Sequence, residues 1–151
     1  MNIFFLDNKD KYCNDFLSNF PAFSKRDDKA GVPVDVLIVD GNSTLESFSS
    51  RRVDTCFCPS SRFFDVVSSI SVKSAVSCGM RERDSVTFSS IGENQAMVCL
   101  KRRVNFLSAQ FEPCEFRVPF DRTRGLYANL ALGTLEYFVK NYKEVSDEHD
   151  E

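Results

Sequence analysis

The chain has 151 residues and a mass of 17.2 kDa, 42% of it hydrophobic and 27% charged. That is enough to bury one core and too apolar for an intrinsically disordered protein. A formal charge of −3 and a pI near 5.3 argue against a dedicated nucleic-acid binder, which needs an excess of Lys and Arg to displace counterions from phosphate. Fifteen Phe and no Trp mean that Phe must supply much of the core's bulk without a polar handle.

In chain order, residues 2–6 form an apolar run closed by the turn signal Asp7-Asn8 and predict a strand. Tyr12, Phe16, Leu17 and Phe20 recur at helical spacing over 9–20, and Pro21 ends that helix. The polar stretch Ser24–Gly31 predicts a loop. Val34–Val39 is the clearest buried strand, followed by Asp40-Gly41-Asn42 and a short helix capped by Ser43 or Thr44 through about Ser50. Val53–Cys58 is a third strand. Ser60 or Ser61 then caps a helix carrying Phe63, Phe64, Val66, Val67 and Ile70, and Val72–Cys78 is a fourth strand stopped by Gly79. Continuous apolar runs alternating with helical patterns are the mark of a parallel sheet covered on both faces.

After Gly79 the pattern changes. Asp84–Ile91 alternates, with Val86, Phe88 and Ser90 on one face; Gly92-Glu93-Asn94 is a turn; Gln95–Arg103 returns as a second strand. Val104–Leu107 and Phe111–Val118 continue the β pattern, and a long helix over about Thr123–Tyr142 places Leu126, Leu130, Leu135, Phe138 and Val139 against the sheet. The fold class expected is α/β: a Rossmann-like three-layer sandwich with a mainly parallel sheet, an antiparallel hairpin extension and a long C-terminal helix. Residues 1–143 read as a single domain, and the acidic run over 144–151 as a disordered tail.

Met1 leads into Ile3-Phe4-Phe5-Leu6 with no basic region before it, and no apolar run approaches the ~18 residues that span a bilayer. A cytoplasmic protein with no membrane partner is expected. Its six cysteines include no C-x-x-C pair, and the single His149 sits in the acidic run, so neither a metal nor another cofactor is expected. The cysteines read instead as buried free thiols in apolar strands.

No G-x-x-x-x-G-K-[S/T] or G-x-G-x-x-G occurs, which excludes the usual phosphate-binding loops. Asp40-Gly41-Asn42-Ser43-Thr44 is superficially similar to the D-x-D-x-T of haloacid-dehalogenase-type phosphatases. Asn42, however, stands where the second Asp would shuttle a proton. Asp7, Asp40, Ser60-Ser61 and Lys73 are reminiscent of a receiver domain, but Lys73 begins its strand instead of ending it. Thiol and serine catalysis both lack a catalytic His.

Residues 72–142 resemble the later part of the central domain of Mur ligases. The resemblance rests on Val72–Gly79, on Asp84–Ile91 with the hairpin after it, and on a helix entry reading Arg124-Gly125-Leu126-Tyr127-Ala128-Asn129-Leu130-Ala131. The ligases' P-loop, their metal-binding residues and the His of the helix entry have no counterpart here. The resemblance therefore implies a truncated, non-ligase derivative.

Ligands of open α/β sheets bind at the carboxyl ends of the strands. The candidate ligand-binding residues are therefore Asp7, Asp40, Asn42, Ser60, Ser61 and Gly79, with Arg81 and Arg83 beside them; none is expected to be catalytic. Two functions follow. The first is a non-catalytic binding or interaction domain, acting on a protein partner or as a homodimer. The second is a small-anion or nucleotide-binding protein with phosphoryl-type chemistry.

Overall fold

The computed structural model describes residues 2–6, 18, 24–25, 33–41, 44–46 and 51–149. The protein is of the α/β class and forms two compact units, Met1–Ala75 and Val76–Glu151. The change of character expected at Gly79 falls close to the boundary between them.

In the first unit, β1 (Asn2–Leu6), β2 (Ser24–Lys25), β3 (Val34–Val39) and β4 (Arg52–Pro59) lie in the order β4-β3-β1-β2, with β1–β2, β1–β3 and β3–β4 all parallel. The strand Ser24–Lys25 lies where a loop was expected; two residues are too few for a period to show. Register explains why these strands read as unbroken apolar runs. Phe4 pairs with Leu37 and Leu37 with Cys56, and on that face Val39 and Cys58 join them in the core formed with Val66 and Ile70. Their sequence neighbours point the other way: Ile3, Phe5, Val36, Ile38 and Phe57 are buried as well. With both faces covered, alternation disappears from the sequence.

A reciprocal clamp fixes the β1–β3 register. The backbone N–H of Asn2 donates to Asp35 Oδ2 at 2.8 Å, and that of Asp35 donates to Asn2 Oδ1 at 2.7 Å. After β4 the chain turns through one 3₁₀ turn, Ser60–Arg62, into α1 (Phe63–Ser69). Neither Ser60 nor Ser61 serves as the cap that was expected. Pro59 and Arg62 occupy the two N-cap positions without a side-chain hydrogen bond. The expected helix over 9–20 lies outside the described residues except for Ser18, and the one over 44–50 except for Thr44, Leu45 and Glu46.

Strand β5 (Ser71–Cys78) carries the chain into the second unit, where Cys78 makes a parallel pairing with Val86 of β6 (Val86–Ile91). Strands β6, β7 (Gln95–Leu100) and β10 (Cys114–Pro119) are antiparallel neighbours, and β8 (Val104–Phe106) with β9 (Ala109–Phe111) forms a separate hairpin. A register shift between Phe88 and Ser90 breaks the alternation of β6, so Ser90 is exposed and does not continue the face of Val86 and Phe88.

Helix α2 (Leu126–His149) starts after the expected Thr123 and runs past Tyr142. It packs on β6, β9 and β10. Leu130, Ala131, Leu135 and Phe138 are fully buried along it. It approaches β10 closely at Gly133, where a Cβ would stand 2.9 Å from both Cβ and Cγ1 of Val118. Glycine costs a helix interior about 1 kcal/mol in propensity, and here it admits the β-branched side chain of β10.

Candidate functional site

In the first unit, Asp7 and Asn42 lie outside the described residues. Asp40 follows β3, and Ser60 and Ser61 follow β4. Because β3 and β4 are parallel neighbours, with Ile38 paired to Phe57, their carboxyl ends lie side by side. The residue that links these ends is Arg62, which the sequence reading passed over. Its Nη1 donates to the backbone oxygen of Asp40 at 3.3 Å, and its Nε lies 3.4 Å from Asp65 Oδ2. The sequence did carry a signal, a lone cation directly after the strand-end Ser-Ser pair. Lys73, which a receiver-like site needs at a strand's carboxyl end, sits near the amino end of β5, 3.9 Å from Asp54 Oδ2.

In the second unit, Gly79, Arg81 and Arg83 belong to one loop between β5 and β6, and this loop is held from every side. The N–H of Gly79 donates to Val86 O at 3.1 Å, and that of Asp84 to Arg81 O at 3.1 Å. The side chain of Asp84, only 2% exposed, accepts the N–H of Arg81 at 2.8 Å. Ser77 Oγ accepts the N–H of Ser85 at 3.0 Å. A buried carboxylate and a buried hydroxyl are thus both engaged in fixing the backbone of an exposed loop.

A second loop joins it. Lys101, just after β7, donates its backbone N–H to Ser85 O at 2.9 Å, and its Nζ to Arg81 O and Glu82 O at 3.1 and 3.3 Å. Lys101 is thereby tied to the loop 79–85, and Arg102 and Arg103 follow it directly in sequence. Arg81, Arg83, Lys101, Arg102 and Arg103 are all exposed. Arg103 pairs with Glu112 at 2.8 Å, whereas no described residue forms an ion pair with the guanidinium groups of Arg81, Arg83 or Arg102. Arg81 and Arg83 are candidates that the sequence had named. Lys101–Arg103, expected as the end of a strand over Gln95–Arg103, instead follow β7, and the pairing of β6 with β7 sets the start of this segment beside the loop.

Gly125 and Asn129 stand at the entry of α2. Gly125 ends the turn before α2, and Asn129 is buried with its side-chain amide taken up by the backbone of Asp121, Arg124 and Gly125. Cys56, Cys58 and Cys78 are buried free thiols, Cys99 and Cys114 are half-buried, and Cys13 lies outside the described residues. Burial pushes the Cys56 thiol well above its ordinary pKa, and the neighbouring Cys58 pushes it further in the same direction.

A raised folded-state pKa means that the native state keeps a proton that the unfolded chain releases. The corresponding stability is full below the ordinary thiol pKa of about 8.5 and is lost as pH rises beyond it. Urea unfolding at increasing alkaline pH is expected to show wild type losing stability faster than Cys56→Val. Equal slopes would mean that Cys56 ionises as freely in the folded protein as in the unfolded one.

Among the described residues no cluster of three or more His, Cys, Asp or Glu side chains is placed to hold a metal ion, and no helix is long and apolar enough to cross a membrane. Comparison with protein-family models, with curated proteins and with solved structures returns no match.

Proposed function

We propose that this protein is a non-catalytic interaction domain that recognises an anionic partner through the loops 79–85 and 101–103 of its second unit. The observation that supports this most directly is the hydrogen-bonded loop itself. A buried Asp84, a buried Ser77 and the ammonium of Lys101 hold a short segment whose own side chains, Arg81 and Arg83, reach into solvent. Loops that merely connect strands need no such scaffolding, whereas binding groups gain affinity from being ordered in advance. Arginine suits the task, since its planar fork meets carboxylate or phosphate oxygens in pairs.

The proposal is tested by retention on a sulfated polyanion resin. Wild type is expected to bind at low salt, and the double variant Arg81→Glu/Arg83→Glu to pass through with an unchanged melting temperature. Both side chains are exposed and without ion pairs to described residues, so reversing them leaves the fold intact. Equal retention of the two proteins would remove these loops from any binding role.

A further inference from the structure

We infer that the anionic partner is an acidic segment of another protein, one that alternates carboxylates with apolar side chains. The inference rests on the function proposed above and narrows it to one partner chemistry.

Several features of the two loops favour a polypeptide over a nucleic acid. Residues 79–85 (Gly-Met-Arg-Glu-Arg-Asp-Ser) and 101–103 (Lys-Arg-Arg) contain no aromatic side chain on which a base could stack. They do contain Met80, which is 62% exposed and is steadied by Thr87, whose Oγ1 donates to its Sδ at 3.4 Å. An exposed thioether in the same loop as the two arginines offers an adaptable apolar contact to a neighbouring side chain, for which a phosphodiester chain has little use.

Charge also sets the reach of the patch. A short acidic segment samples only the field within about one Debye length, roughly 8 Å at physiological salt, and there the cations dominate. Against the cations Arg81, Arg83, Lys101, Arg102 and Arg103, the two loops themselves hold the acids Glu82 and Asp84, of which Asp84 is buried, and Glu112 is matched to Arg103.

Fluorescence anisotropy of the full chain tests this with three labelled probes: a peptide alternating Glu and Leu, its Gln and Leu counterpart, and a single-stranded oligonucleotide. The acidic peptide is expected to bind, and to lose about tenfold or more in affinity on Arg81→Glu/Arg83→Glu or on raising salt. Met80→Ser is expected to weaken it severalfold without altering the salt dependence. If the oligonucleotide binds and the acidic peptide does not, the partner is wrong but an anion-binding surface stands. If neither probe binds and the polyanion resin also fails to distinguish the variant, the function proposed above falls with it. Binding of the uncharged peptide equal to that of the acidic one would overturn the inference by making the arginines irrelevant.

Discussion

Truncating Phe138 to alanine is expected to destabilise the protein by about 3–5 kcal/mol, the largest effect of any substitution considered for this chain. Phe138 is completely buried on α2 and stands at the centre of an aromatic cluster. Its ring centroid lies 4.4 Å from that of Phe111 and 5.3 Å from that of Phe106, and the neighbouring Tyr137 stacks on Phe116 at 3.9 Å. These rings belong to β9, β8 and β10, so Phe138 ties the helix to the small hairpin while Tyr137 ties it to the antiparallel sheet. Removing Phe138 leaves a cavity that cannot collapse easily, because the hairpin is short and the surrounding rings hold one another in place. The measurement is urea unfolding of Phe138→Ala against Phe138→Leu. The leucine variant is expected to recover much of the loss, since it fills most of the volume. Equal loss in both would point to ring geometry instead of cavity volume.

The aromatic cluster also shows what the sequence made legible. Phe106, Phe111, Phe116 and Phe138 lie on the buried sides of elements whose periods of two and 3.6 were readable without coordinates. Strands β1 and β3 were readable because near-continuous apolar runs suit a sheet covered on both faces. The hairpin β8–β9 was harder, because its turn is Leu107-Ser108 instead of Asn-Gly. Leu107 adopts φ 55, a left-handed conformation unusual for a residue with a side chain.

The candidate site was legible only in part, for a related reason. Arg81 and Arg83 lie two residues apart, and a loop of charges is easily noticed. Lys101 lies 20 residues away, and only the hydrogen bond from its Nζ to Arg81 O places it in the same group. Arg62 was missed because a cation following two serines looks like ordinary helix polarity until Asp40 and Asp65 are seen beside it. Phe63, Phe64 and Val67 showed the converse. They had helical spacing, yet they are exposed while Val66 and Ile70 are buried, because a helix of seven residues offers only one narrow stripe to its sheet.

Asn129 separates a structural duty from a recognitional one more sharply than any other residue of α2. Its Oδ1 accepts the N–H of Asp121 at 2.9 Å, and its Nδ2 faces the backbone oxygens of Asp121, Gly125 and Arg124 at 2.8, 3.1 and 3.2 Å. The turn leading into the helix is thus tied to the helix's own first turn, with Asp121 also accepting from Thr123 and pairing with Arg124. Asn129→Ala leaves these part-buried backbone groups without the amide of a buried side chain, and is expected to cost about 1–3 kcal/mol. Asn129→Asp is expected to cost at least as much at neutral pH, since it sets a carboxylate against three carbonyl oxygens. That environment favours the protonated acid and raises its folded-state pKa above the unfolded value. The penalty of Asn129→Asp should therefore shrink as pH falls through that raised value, while the penalty of Asn129→Ala stays flat. Parallel urea titrations of the two variants from neutral to acidic pH make the comparison. Matching pH profiles would show that the amide's hydrogen bonds do not carry the turn, and that the side chain matters there only through its volume.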